Sequence, residues 1–98
     1  MYMVVSKWRI LPGKEQDFED NGAKVRNVLR TQPGVLFMHG FRNSEGNAVA
    51  IHAYESEDAY NKVVHDPNGA FAKALAEYKV EQSAEWISSE RGETLDDD

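Results

Sequence analysis

The sequence predicts an α+β domain of ferredoxin-like topology, β-α-β-β-α-β, with a four-stranded antiparallel sheet carrying its helices on one face. Three observations lead there. Runs rich in Val, Ile, Tyr, Phe and Trp lie at both ends of the chain and around a central turn. Two stretches of helical periodicity separate them. Breakers stand where each element has to stop, at Pro12-Gly13, Pro33-Gly34 and Asp66-Pro67. Two split β-α-β units with right-handed crossovers then close into one sheet.

The first strand is read from Tyr2 to Leu11 and ends at Pro12-Gly13. A helix follows from about Lys14 to Thr31, because Phe18, Gly22, Val25 and Leu29 recur at helical spacing with Val28 beside them. Its acidic start (Glu15, Asp17, Glu19, Asp20) and basic later half (Lys24, Arg26, Arg30) complement the helix dipole. Strands Val35 to Arg42 and Ala48 to Glu55 flank Asn43-Ser44-Glu45-Gly46-Asn47, a hairpin signal. Ser56 is placed to cap a short helix bearing Ala59, Tyr60, Val63 and Val64. Asp66-Pro67 breaks it and is read as the start of the next helix, with Phe71, Ala72, Leu75 and Ala76 as its stripe and Tyr78 at its end. The last strand runs from about Val80 to Ser88 through Trp86. The domain is therefore assigned to residues 1–89, and residues 90–98 to an acidic, frayed tail.

A turn at Glu45-Gly46, or a loop from Ser44 to Asn47, fixes the hairpin register. Either sets His39 opposite His52, Phe37 opposite Tyr54 and Phe41 opposite Ala50, all on one face. The other face carries Leu36, Met38, Gly40, Val49, Ile51 and Ala53, small and aliphatic enough to lie under helices. The aromatic face has no helix left to cover it. Soluble monomers rarely leave such a patch in water, so a second copy is expected there, making a homodimer. A chain of 98 residues gains from this, since it buries only roughly 60–65% of its unfolded surface by itself.

Composition narrows the classes. There is no cysteine, hence no disulfide, thiol nucleophile or zinc ribbon. No window approaches the roughly 18–20 apolar residues that span a bilayer, and the start, Met1 to Lys7, has no basic region followed by an apolar core. No membrane partner is expected, and a cytoplasmic location is. Much of the net charge of −6 comes from Glu90, Glu93, Asp96, Asp97 and Asp98, and no basic stripe suggests nucleic acid. Phosphate loops, dinucleotide fingerprints, nucleophile elbows and metalloprotease motifs do not occur.

The order of Leu11-Pro12-Gly13-Lys14, Gln32-Pro33-Gly34-Val35, Tyr54-Glu55-Ser56-Glu57-Asp58-Ala59-Tyr60 and Asp66-Pro67 resembles the antibiotic biosynthesis monooxygenase family of dimeric α+β barrels, over residues 2 to 88. The resemblance implies a homodimer whose sheets close into a barrel, with a pocket between each sheet and its own helices. It also implies one of several activities: oxygenation of anthrones or quinols without metal or flavin, heme degradation, isomerisation, or none. Tyr54 stands where many members have tryptophan, and Val63 and Asn68 where they have histidine. Ser6, Val63 and Lys73 stand at or near the asparagine, tryptophan and histidine positions of the heme-degrading branch, so heme degradation is not expected. His65 lies two residues beyond the family's usual histidine position.

Within that frame His39 and His52 are the catalytic candidates, imidazoles that would hold and deprotonate a phenolic substrate. The resulting aromatic anion passes an electron to oxygen without a cofactor. The plain alternative makes both of them interface residues. Two histidines without a third carboxylate do not define a metal site, so no metal or cofactor is expected. Ser6, Trp8, Phe37, Phe41, Tyr54 and His65 are the substrate-binding candidates, for a small hydrophobic or aromatic molecule, with barrel core as the plain alternative for the aromatics. Trp86 reads as an interface anchor. Two functions stand side by side: a cofactor-independent monooxygenase of small aromatic or quinol-type substrates, and a non-catalytic dimeric domain binding a hydrophobic ligand. What separates them is whether His39 or His52 lines an accessible pocket.

Overall fold

The computed structural model describes residues 1–95. Its elements are β1 (Tyr2–Ile10), α1 (Glu15–Arg30), β2 (Val35–Arg42), β3 (Ala48–Tyr54), α2 (Glu57–Tyr60) running into a π-type turn (Asn61–His65), α3 (Ala70–Tyr78), a 3-10 turn (Val80–Gln82) and β4 (Ala84–Glu93). The antiparallel sheet has the order β2-β3-β1-β4, the ferredoxin-like arrangement. Tyr2 and Val4 of β1, Met38 and Tyr54 pack against Val25 and Leu29 of α1 and against Tyr60, Val63 and Ala74. The helices therefore lie on one face, and the core lies between them and the sheet.

Local chemistry explains the boundaries. Ser56 caps α2 through its Oγ, which accepts from Ala59 N at 3.1 Å. Asp66 accepts from Asn68 N at 2.9 Å, so Asp66-Pro67 forms a turn, and α3 begins only at Ala70. Pro67 is thus not the first helical residue, as the sequence suggests. β4 starts at Ala84 and reaches Glu93, because the 3-10 turn takes up Val80 to Gln82. Glu90 to Glu93 thereby belong to the sheet rather than to a tail, and Glu93 pairs with Tyr2. Asp96, Asp97 and Asp98 lie outside the described residues.

The hairpin departs from the expected register by one residue. Arg42 pairs with Ala48, Gly40 with Ala50, His39 with Ile51 and Met38 with His52. Asn43 is the cause. Its Oδ1 accepts from Glu45 N at 2.9 Å and Asn47 N at 3.0 Å, and its own N–H bonds Asn47 O at 2.9 Å. The connection thus spans Asn43 to Asn47, with Gly46 at φ 82°. An odd-length connection reverses the parity of β3 against β2. His52 and Tyr54 therefore join Met38 and Gly40 on the helix side. His39, Phe37 and Phe41 face away, with Val49, Ile51 and Ala53. The two imidazoles are not opposed, and neither are Phe37 and Tyr54 or Phe41 and Ala50.

Gly34 ties the two halves together. Its O accepts from Glu55 N at 2.8 Å, its φ is 85°, and a Cβ built there would stand 2.6 Å from the Ala59 Cβ. Gly46 has a similar φ, but a Cβ built there would meet no atom of the described residues beyond its chain neighbours within 4 Å. Gly34→Ala should cost about 2–4 kcal/mol, the sum of a left-handed alanine and an overpacked contact. Gly46→Ala should cost only about 1 kcal/mol. Denaturant titration of both variants checks this, and equal losses would contradict the close approach at Ala59.

Candidate functional site

Side-chain alternation builds the floor of a cavity on the helix side of the sheet. One cross-strand row is Gly40, Ala50, Ser6 and Ser89, and the next is Met38, His52, Val4 and Arg91. Trp8 pairs with both Ala48 and Trp86. Phe18, Arg26, Phe71 and Leu75 close the space from the helices, leaving a cavity of about 1060 Å³. That volume suits a planar ligand of several rings. Trp86, 59% exposed, stands at its mouth. Among the described residues, no three His, Cys, Asp or Glu side chains gather as metal ligands, and no helix is long and apolar enough to cross a membrane.

His52 is the centre of a polar chain across this floor. Its Nδ1 lies 2.7 Å from Tyr54 Oη and its Nε2 lies 3.4 Å from Ser6 Oγ. Ser6 Oγ is 3.1 Å from Ser89 Oγ, which accepts from Trp86 Nε1 at 2.9 Å. Burial holds the His52 pKa down to about 4 and pushes the Tyr54 phenol well above its ordinary value, with Tyr60 adding to the second effect. At neutral pH both are uncharged. The chain can be written in two directions. With Tyr54 donating to Nδ1, His52 offers Nε2–H to Ser6. With Nδ1–H donating to Tyr54, Nε2 offers a lone pair. The site therefore has a means of taking a proton at Nε2 and of giving one back.

A second cluster borders the same cavity. Arg91 Nη1 donates to Tyr60 Oη at 3.0 Å and to His65 Nε2 at 3.1 Å, and its guanidinium lies 5.3 Å from the Tyr60 ring centroid. Tyr60 Oη is itself 3.1 Å from His65 Nε2. Because arginine only donates, His65 Nε2 serves as an acceptor here. The π-type turn ends at His65, so that its ring meets the Tyr60 ring at 4.8 Å.

Of the residues singled out from sequence, the structure brings Ser6, Trp8, His52 and His65 to the cavity wall, while Phe41 touches only its rim, its side chain lying on the other face of the sheet. Tyr54 sits fully buried beneath His52, edge-on to it at 5.4 Å. Phe37 and His39 stack on each other at 5.8 Å on the opposite face of the sheet. Sequence reading passes over Arg26, Ser89 and Arg91 as site residues; Trp86, which it reads as an interface anchor, stands at the mouth of the cavity. The signal for Ser89 and Arg91 is the pairing of β4 with β1, which a register shift between Lys7 and Trp8 conceals.

The elements and their packing define an α+β domain with a cavity between the sheet and the helices. The family profile described as antibiotic biosynthesis monooxygenase matches residues 1–76, and the chain belongs to that family. No curated protein matches the sequence. Similar solved structures include Rv0793 from Mycobacterium tuberculosis, at 14% identity and TM-score 0.79 over 98% of this chain and 96% of that one. SnoaB, a cofactor-independent oxygenase from Streptomyces nogalater, aligns at 19% identity and TM-score 0.73, covering 99% and 94%. A candidate antibiotic biosynthesis monooxygenase from Bordetella bronchiseptica aligns at 18% identity and TM-score 0.76, covering 96% of each chain.

The depressed His52 pKa carries a stability signature. The folded state binds this proton more weakly than the unfolded chain, whose histidine titrates near 6.5. Stability from this source is complete above pH 6.5 and is lost as pH falls toward 4, by about 3 kcal/mol. Carboxylates titrate in the same range, so the informative quantity is a difference. Denaturant titrations from pH 7 to pH 4 should show a smaller acid loss in His52→Gln than in the wild type. Parallel losses would contradict the burial of the ring.

Proposed function

We propose that the domain is a cofactor-independent monooxygenase of small, electron-rich aromatic substrates such as anthrones or quinols, with His52 as its proton acceptor. The observation that carries this is an uncharged imidazole whose Nε2 opens, beside Ser6, on a large cavity walled by Trp8, Trp86, Phe18 and Phe71. Family membership supports it, as does likeness in fold to a cofactor-independent oxygenase.

On this reading the aromatic walls stack the substrate and His52 removes a proton from it. The anion gives an electron to dioxygen, and the two radicals combine at carbon. For an anthrone-type CH2, one oxygen atom becomes the new carbonyl and the other leaves as water with the two hydrogens. A base with a pKa near 4 is weak in the empty cavity. A substrate anion formed beside it favours the imidazolium and raises that pKa. Ser6 hydrogen-bonds the substrate oxygen, and His65 borders the bound ligand. His39 has no part in this step, since it lies across the sheet.

The outer face carries Met3, Val5, Phe37, Phe41, Val49, Ile51 and Ala53, and among the described residues no helix lies over it. A second copy packed there makes the domain a homodimer and the sheet pair a barrel. Phe37→Asp would bury an unpaired charge in that contact and should yield monomers in sedimentation velocity. A dimer as tight as the wild type's would refute this packing.

Oxygen uptake by the metal-stripped protein with a panel of anthrones and hydroquinones tests the activity. Turnover should exceed autoxidation, fall about 100-fold or more in His52→Gln, and persist in His39→Gln. The acid limb of kcat/KM should lie near pH 4 rather than near 6.5, because only neutral His52 accepts the proton. No turnover with any substrate would favour a binding domain, and a limb near 6.5 would put the base elsewhere.

A further inference from the structure

We propose that Arg26 is the anchor for a carboxylate on the ligand of this cavity, so that the domain takes planar aromatic acids in preference to their neutral counterparts. This rests on the cavity being the substrate site, and it narrows what occupies that site.

Arg26 projects from α1 back toward Gly22 and Phe18, as long helical side chains do, and its guanidinium lies across the backbone of Gly40 on β2. A Cβ at Gly40 would come within 3.1 Å of Nη1 and 3.4 Å of Cζ, and one at Gly22 within 3.3 Å of Nη1. Both positions are glycine, and the guanidinium occupies the room their missing side chains leave. Arg26 and its neighbours Phe18, Val25, Leu29 and Met38 all line the cavity.

This cation has no counter-charge of its own. Among the described residues, no hydrogen bond or ion pair engages it, whereas Glu19, Arg42 and Arg30 each have partners. Glu19 lies 3.7 Å from Arg42, and Arg30 donates to Met38 O at 3.0 and 2.7 Å and to Asn27 Oδ1 at 2.8 Å. Burial, and next the Arg30 charge, lower the Arg26 pKa from its ordinary value, the mark of a cation in an uncompensated position. A partly desolvated, unpaired guanidinium facing a cavity is costly by itself and favours an anion that enters.

The chemistry selects the class of anion. One planar fork, with no second cation in contact with it among the described residues, matches a monovalent carboxylate bidentately better than it does a dianionic phosphate. The geometry selects the rest. Gly40 pairs with Ala50, two residues from His52 on the same face of β3. Such diagonal neighbours lie on the order of 7–8 Å apart, about the span of an aromatic ring with its substituents. An acid held at Arg26 against Gly40 is thus directed along the cavity floor toward His52, on the neighbouring strand.

Calorimetric titration with a hydroxynaphthoate and the matching hydroxynaphthamide, alike in ring and hydroxyl, tests this. The wild type should bind the acid about tenfold or more tightly than the amide. Arg26→Gln should bring the acid to the level of the amide and leave the amide unchanged, while Arg26→Lys keeps part of the preference. Equal binding of the two by the wild type, no binding of the acid, or a preference that survives in Arg26→Gln would each overturn the assignment. Should Arg26→Gln not fold, an undiminished preference in Arg26→Lys, which keeps the charge but not the fork, would overturn it as well. An acid that binds through Arg26 and is never oxidised removes the oxygenase reading alone. Oxidation of phenols with no preference for acids removes this assignment alone.

Discussion

The site depends on the parity of one loop. Asn43 uses a single carboxamide oxygen to hold two backbone N–H groups, and so commits the β2–β3 connection to an odd length. Every side chain of β3 takes its facing from that. In the alternative parity, His52 and Tyr54 would point away from the helices, and the chain from Tyr54 through His52 and Ser6 to Ser89 and Trp86 could not form. A slip of one residue would leave the sheet intact and empty the site of its chemistry.

The same parity decides what the domain's stability costs and where. Tyr54 is fully buried and His52 nearly so, yet neither lacks a hydrogen-bond partner, because each is the other's. Burial without that pairing would strand two polar groups in the core. Packing of Tyr54 against Tyr60 at 5.2 Å, and of Tyr60 against Tyr2 at 5.3 Å, carries the arrangement into the helix layer and toward Arg91. Folding and site geometry here share the same side chains.

Most of the elements were legible because their signals are local. Pro12-Gly13 and Pro33-Gly34 stop β1 and α1, the Phe18–Leu29 stripe spans a single helix, and Ser56 caps the next. Register is a pairing property, and it was not legible. A two-residue and a four-residue loop give the same facing, and a longer one held by Asn43 reverses it, while composition alone does not choose among them. Half of the facing survives: Phe37, His39 and Phe41 lie outside as expected, and His52 moves to the cavity. Ser89 and Arg91 were hidden for a related reason, since β4 begins and ends later than its apolar run suggests. Arg26 looked like a complement to the helix dipole. Only the proximity of Gly40, distant in sequence, turns it toward a ligand.

The chain's net charge of −6 suggests that an anion would be repelled, and the site shows why net charge is a poor guide to a ligand. Exposed charges act over about 8–10 Å at ordinary ionic strength, whereas groups in an apolar wall are screened much less. The cavity wall holds Arg26 against β2 and Arg91 on β4, at the two edges of the sheet, with neutral His52 on β3 between them. Those edges are roughly 14 Å apart, three strand spacings. An anion seated near Arg26 supplies the negative charge that His52 lacks in the empty cavity, and its proton affinity rises accordingly. On the proposed assignment, ligand binding and activation of the base are one electrostatic event: the imidazole stays a weak base until a molecule arrives whose own charge makes it a stronger one.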